Sequence, residues 1–166
     1  MFQITVTELR WLETTDEIID LCLHGKATAI IGDETFTYDA TVSATALYLL
    51  RTLTEDHFYR SKHDHNQMLP CCGFSMYPNE NMDCVHISGC PNGIDWSVIH
   101  IGDKVKIITE TGKETIIDLE NYKKTVYLFA DEIENYYLKS IPKIPYDDES
   151  KFGHIAFWNE WHRRRK

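Results

Sequence analysis

Alternating apolar and polar positions mark the first strands of this chain. Residues 2–7 place Phe, Ile and Val between polar neighbours, which is the period-two pattern of a strand with one buried face. Residues 27–31 and 35–38 are rich in β-branched and aromatic side chains, and Gly32 lies between them. These features predict an N-terminal strand followed by a β-hairpin.

A second alternating block follows residue 95. Three segments between residues 96 and 119 are separated by the turn sequences Gly102-Asp103 and Thr111-Gly112-Lys113. Short alternating runs joined by glycine-containing turns predict a three-stranded antiparallel meander.

The first half of the chain also has two helix patterns. Thr14 and Glu17 stand at capping-box spacing before an apolar stretch that ends at Gly25, which predicts a short first helix. In residues 42–53, apolar residues recur at i, i+3, i+4 and i+7, and Ser43 is placed to act as the N-cap. A second helix with one buried stripe is therefore expected there.

Two further helices are predicted near the C-terminus. A long apolar stripe runs over residues 120–138 and stops before a proline-rich linker at residues 141–150. Residues 151–166 contain a second stripe that includes Trp158 and Trp161, followed by basic residues that complement a helix C-terminus.

Together these elements predict an α+β fold. We expect an antiparallel sheet, formed by the N-terminal strand and hairpin plus the meander, packed against about four helices. A chain of 166 residues is expected to form a single globular domain over residues 1–166. Residues 54–93 lack clear periodicity, and segments of this length are usually functional or contain unrecognised structure.

Composition limits the class of partner and the compartment. The formal charge of −9 disfavours binding to phosphate backbones, so no nucleic acid partner is expected; the charge fits either solubility alone or a basic protein partner. No apolar run approaches the length of a membrane span, and the N-terminus lacks a signal-peptide pattern. Because five cysteines is an odd number, we expect reduced thiols and a cytoplasmic location.

Four of the five cysteines fall within residues 68–93. There is no C-x-x-C knuckle, and the adjacent Cys71 and Cys72 are expected to supply one ligand between them. In an extended segment Cys84 and His86 project to the same face. Cys72, Cys84, His86 and Cys90 therefore form a candidate zinc site. The alternative is a group of inert, partly buried thiols, because cysteine packs as a small hydrophobe.

Other chemistry is less well supported. His63 and His65 have the same spacing but are expected to be solvated loop residues. Cys71 or Cys72 before Gly73 resembles a thiol on a turn, yet nothing in the order of residues defines a catalytic triad, so a cysteine-dependent hydrolase is a weaker alternative. Nucleotide-binding glycine motifs are absent from the sequence. No catalytic or cofactor-binding residue is predicted.

The C-terminal segment offers a partner-binding site. Trp158 and Trp161, with Arg163, Arg164 and Arg165, belong either to a helix docked on the body or to an amphipathic segment for a partner. Tyrosine and tryptophan are common at interfaces. The leading hypothesis is a non-enzymatic protein-binding module, such as an inhibitor, an immunity-type factor or an adaptor, with a zinc-binding domain or metalloenzyme as the alternative.

Four segments of the chain are similar to segments in a group of small bacterial proteins. They are ATVSATALYLLRTL, MLPCCG, CPNGIDW and FWNEWHRRR, and comparable segments occur there in the same order. The resemblance implies a stand-alone bacterial domain. It carries no activity and no functional residue.

Overall fold

The protein has an α+β fold with antiparallel sheets, seen here in a computed structural model that describes residues 1–12, 18–59, 67–73 and 75–166. In chain order the elements are β1 (Phe2–Arg10), β2 (His24–Ile31), β3 (Glu34–Ala40), α1 (Val42–Arg51), β4 (Leu69–Pro70), β5 (Ser75–Pro78), β6 (Val85–Ser88), β7 (Gly93–Ile94), β8 (Trp96–Ile101), β9 (Lys104–Thr109), β10 (Glu114–Asp118), α2 (Leu119–Lys139) and α3 (Asp148–Arg164).

The N-terminal strand and hairpin form a three-stranded sheet in the order β1-β2-β3. Phe2, Ile4 and Val6 are buried while the residues between them are exposed, as the alternation predicts. Gly32 makes the hairpin turn with a φ of 65°, a left-handed conformation that favours glycine. The prediction of a strand followed by a hairpin is confirmed.

The meander is also confirmed, as a separate sheet in the order β10-β9-β8. The expectation of one sheet containing both blocks is wrong, because backbone hydrogen bonds do not join them in the described part of the chain. Side chains connect the two sheets instead. The ring of Phe2 lies 6.4 Å from that of Trp96 and 5.0 Å from that of Tyr122, and all three are buried.

Helices α1 and α2 occupy the predicted places. Every residue of α1 from Val42 to Leu50 is buried, so this helix runs through the core. Its N-cap is Thr41 rather than Ser43, because the Ser43 hydroxyl instead accepts a hydrogen bond from the backbone N–H of Leu23 at 3.1 Å. In α2, Asp118 caps the N-terminus by accepting hydrogen bonds from the first turn.

The first of the four predicted helices is not seen, and the described residues contain three helices. Residues 18–23 are described and are not helical, whereas residues 13–17 lie outside the described part. The Asp20 carboxylate accepts hydrogen bonds from the backbone N–H groups of Leu12 and Cys22. Such a local side-chain contact offers the backbone an alternative to a helix, and the next residues lead directly into β2.

The proline-rich linker is shorter than expected, because α3 begins at Asp148, capped by the Asp147 side chain. Helix α3 packs against β5, and Gly153 lies so close that an added Cβ would be 2.1 Å from the Met76 carbonyl oxygen. Phe157 and Trp161 are buried in the core, so the terminal helix is docked on the body.

The described part of the irregular segment, with the residue that follows it, contains four short strands. They form two antiparallel pairs, β4 with β7 and β5 with β6. Two-residue and four-residue strands leave little periodicity to recognise, which explains why this part of the sequence resembles a long loop. No helix in the described part of the chain combines the length and apolar character needed to cross a membrane.

Candidate metal centre

The pairing of β4 with β7 brings two cysteine segments together. Cys71 and Cys72 follow β4, Cys90 precedes β7, and the N–H of Cys71 donates to the carbonyl of Asn92 at 3.1 Å. Gly93 permits this approach, because its φ is 151° and an added Cβ would lie 2.5 Å from the Leu69 carbonyl oxygen. Backbone geometry therefore holds the two segments in register before any ion is bound.

Three sulfur atoms converge at this point. The Sγ atoms of Cys71, Cys72 and Cys90 all lie within 4.8 Å of one another, and each side chain is half-buried. The backbone N–H of Cys90 donates to the Cys72 sulfur at 3.1 Å. All five cysteines of the chain are free thiols, so these sulfurs are available as ligands.

Within the cluster, Cys90 ionises more readily than Cys72. A hydrogen bond from the Cys72 thiol, followed by one from the Asn92 backbone, lowers the pKa of Cys90. Burial, and then the interaction with Cys90, raises the pKa of Cys72. Burial and a hydrogen bond with Cys71 raise the pKa of the nearby Tyr38 hydroxyl, so it stays protonated beside the sulfurs.

This arrangement fits a thiophilic metal ion. Thiolate is the form of cysteine that binds metal, and zinc accepts it at about 2.3 Å in tetrahedral geometry. Sulfur ligands on one such ion lie about 3.8 Å apart, which the observed separation accommodates with small side-chain movements. Three protein ligands leave a fourth position for a further ligand.

The predicted zinc set differs from this cluster. Cys72 and Cys90 belong to it, but among the described residues no group of three or more clustered ligands includes Cys84 or His86. Those two residues lie at the start of β6, the second strand of the β5–β6 hairpin, and line a cavity with Arg51 and Arg164. Cys84 and His86 do share one face of their segment, as the sequence predicts. The pairing of β5 with β6 turns that face toward the cavity beside Arg51 and Arg164 and not toward the cysteine cluster. His63 and His65 lie outside the described residues.

Cys71 is the ligand that sequence reasoning did not count separately. Two adjacent cysteines were expected to contribute one sulfur, yet the structure brings both into the cluster. The sequence feature that could have indicated two ligands here is the adjacent Cys71-Cys72 pair itself. A bend after β4 is enough to point both side chains to the same side.

The remaining thiols are poor nucleophiles. Cys22 is buried, donates to the Gly73 carbonyl at 3.3 Å, and has a raised pKa caused first by burial and then by Asp20. Burial, and then the charge of Glu160, also raises the pKa of Cys84. These features give no support to a hydrolase that uses either thiol.

One histidine–carboxylate pair was not anticipated from the sequence. His57 Nε2 lies 2.8 Å from Asp95 Oδ1, and the same oxygen accepts the N–H of Met68 at 3.1 Å. The backbone of His57 also pairs with that of Val98 in β8. These contacts fix the chain after α1 to the second sheet, so a structural role accounts for the pair.

The predicted partner-binding residues are mostly engaged within the chain. Trp161 is fully buried. Arg163 donates to the carbonyl of Asp83, Arg164 pairs with Glu160 and Glu55, and Arg165 pairs with Asp131 and Glu134. Carboxylates therefore pair with Arg164 and Arg165, whereas Arg163 contacts a backbone carbonyl oxygen. Only Trp158 from this set lines a described cavity that is predominantly apolar.

Comparison with protein families, with curated proteins and with solved structures found no match. The resemblance to small bacterial proteins therefore stays a prediction.

Proposed function

We propose that the protein binds a thiophilic metal ion, in the first place zinc, through Cys71, Cys72 and Cys90. The observation that carries the proposal is the convergence of three free sulfurs within 4.8 Å. Soft thiolate ligands select ions such as zinc or monovalent copper over magnesium and calcium. A cytoplasmic location, where thiols remain reduced, would keep this ligand set competent.

The ion would connect the two chain segments that β4 and β7 already hold together. Cys90 ionises more readily than Cys72, since the pKa of Cys90 is lowered and that of Cys72 is raised. The N–H of Cys90 that donates to Cys72 would support a second thiolate. An ion bound at these positions would therefore help to order the segment between the two sheets.

Metal content and affinity test this proposal. Protein purified in reducing, chelator-free buffer should contain close to one equivalent of zinc, or take up one equivalent when titrated against a chromophoric chelator. Cys72→Ser and Cys90→Ser should each weaken the affinity by at least about tenfold, as loss of a ligand requires.

Cys84→Ser is the matched control, because Cys84 is also half-buried but lies in a different cavity. It should keep the affinity of the unmodified protein. Uptake of less than about a tenth of an equivalent, or equal losses in the three variants, would overturn the proposal.

A second candidate function is the binding of another protein through a cavity beside Trp158. This cavity has a volume of about 250 Å³ and is lined mainly by apolar side chains, among them Leu138, Ile141 and Pro142. Leu138 is 76% exposed and Ile141 is 50% exposed. An aliphatic anchor from a partner would fill such a cavity, and the formal charge of −9 favours a partner with a basic surface.

Surface variants test the second candidate. Leu138→Glu should abolish retention of a basic partner that the unmodified protein captures at low salt and loses at high salt. Leu128→Glu is the control, because Leu128 is 60% exposed on the same helix but does not line the cavity. Equal capture by both variants would contradict binding at this site.

A further inference from the structure

A cavity with charged side chains in its lining lies where α1, α3 and the β5–β6 hairpin meet. Its volume is about 470 Å³. Arginines from α1 and α3 form part of its lining, and Tyr77 and His86 from the hairpin form another part. None of the cysteines in the metal cluster lines it, so the cavity is separate from the proposed metal centre.

Three charged side chains form a buried network at this cavity. Glu160 is fully buried and accepts hydrogen bonds from Arg51 Nε at 2.9 Å, from Arg164 Nε at 2.7 Å and from the backbone N–H of Val85 at 2.9 Å. The side chains of Arg51 and Arg164 are only 17% and 7% exposed. A second nitrogen of Arg51 also donates to Glu160 and to the carbonyl of Val85.

This network contains one more positive than negative charge. Two guanidinium groups share the single carboxylate of Glu160, and both oxygens of that carboxylate are already occupied by donors. A second carboxylate, Glu55, also lines the cavity and pairs with Arg164 at 2.7 Å, but its side chain is 58% exposed, and an ion pair formed by an exposed carboxylate is weak. A buried excess of positive charge attracts an anion more strongly than an exposed charge does.

The geometry of the donors suits an oxyanion. Arg51 uses Nε and one terminal nitrogen in the contacts above, and its other terminal nitrogen has no protein acceptor among the described residues. Guanidinium groups bind carboxylate and phosphate oxygens through paired N–H donors. Tyr77 and His86 stack with their ring centroids 6.4 Å apart. These two planar rings line the same cavity as Arg51 and Arg164.

We propose that this cavity binds a small oxyanion ligand, a carboxylate or a phosphate ester, through Arg51 and Arg164. Tyr77 and His86 would contact the organic part of the ligand. The chain carries a net negative charge overall, so the local positive network, rather than long-range attraction, accounts for binding.

Nuclear magnetic resonance titration at constant ionic strength tests this inference. The probes are inorganic phosphate and benzoate, with chloride as the reference anion. Either probe should cause saturable shifts in the backbone amide signals of Tyr77, Asn79 and residues 84–86, and in the Nε–Hε signal of Arg51. Binding of phosphate alone would identify phosphate esters as the ligand class, and binding of benzoate alone would identify carboxylates.

Charge variants that leave the buried network intact provide the decisive comparison. Glu55→Gln removes the exposed carboxylate beside Arg164 and should tighten binding of the probe about two- to fivefold, the size of an exposed charge interaction. Glu120→Gln makes the same charge change in the exposed first turn of α2 and should leave the affinity unchanged. Tyr77→Ala should weaken benzoate more than phosphate. Absence of saturable shifts with both probes, or equal affinities in Glu55→Gln and Glu120→Gln, would overturn the inference.

Discussion

The buried carboxylate of Glu160 is expected to make the fold dependent on pH and sensitive to one substitution. Burial alone would raise its pKa, but the hydrogen bonds and charge of Arg51, with Val85 and Arg164, outweigh burial and lower the pKa to about 2. Because the folded protein has the lower pKa, the unfolded chain takes up a proton first as the pH falls. The stabilisation is therefore complete above about pH 4.5 and is lost between about pH 4.5 and 2.

The magnitude follows from this shift. The pKa of Glu160 lies roughly 2.5 below that of an ordinary glutamate, which corresponds to about 3 kcal/mol of stability at neutral pH. Glu160→Gln keeps the size of the side chain but removes its charge, which leaves the largely buried Arg51 without a carboxylate partner and Arg164 paired only with the exposed Glu55. Removing one partner of a buried ion pair costs about 3–5 kcal/mol, which is similar to the stabilisation that follows from the pKa of Glu160.

Urea unfolding at pH 7, followed by circular dichroism, measures this loss. Glu160→Gln should lower the free energy of unfolding by about 3 kcal/mol or more, whereas the exposed Glu132→Gln should change it by less than about 0.5 kcal/mol. The decline in stability expected between about pH 4.5 and 2.5 should be shallower in the variant than in the unmodified protein, because other carboxylates with lowered pKa values still contribute to it. A loss below about 1 kcal/mol, or the same decline in both proteins, would refute the reasoning.

Three further predictions concern the core and its polar groups. Gly153→Ala forces a Cβ against the Met76 carbonyl and should cost at least about 2 kcal/mol of stability in urea unfolding; an unchanged midpoint would contradict the close packing of α3 on β5. His154 should titrate near pH 4 in nuclear magnetic resonance spectra, because burial and then Lys143 lower its pKa to about 4; titration near pH 6.5 would contradict its burial. Tyr122→Phe removes the hydroxyl 2.7 Å from Thr52 and should cost about 1 kcal/mol in thermal unfolding; no change would show that this hydrogen bond adds nothing.

The sequence was sufficient where a periodic pattern is long or repeated. Alternation with glycine turns predicted β8 to β10, and the apolar stripe over residues 120–138 predicted the helix that the structure shows as α2, Leu119–Lys139. Helix α1 was found from its apolar spacing, although it is buried on all sides. Local patterns were enough here because neighbouring residues determine these elements.

Local patterns failed where a distant contact decides the structure. The segment before β2 has a helical pattern, but Leu23 is held by Ser43 and by the hydroxyl of Tyr137. Asp20 closes a turn instead of capping a helix. Neither contact is visible in the spacing of residues 14–25.

The candidate metal centre was partly predictable for the same reason. The cysteine-rich segment was recognised, and Cys72 and Cys90 were two of the four ligands predicted there. The choice of Cys71 over Cys84 depends on the two-residue pairing of β4 with β7, which is too short to leave a sequence pattern. Likewise, pairing of the basic tail with acidic residues on α2 and on the turn after α1 depends on packing.

X-ray absorption at the zinc edge tests the central claim most directly. For protein loaded with one equivalent of zinc, the proposed site predicts a coordination shell of three sulfur atoms at about 2.3 Å, reduced to two sulfurs in Cys90→Ser. A shell containing only nitrogen and oxygen, or a sulfur shell that Cys90→Ser leaves unchanged, would contradict a metal centre built from Cys71, Cys72 and Cys90.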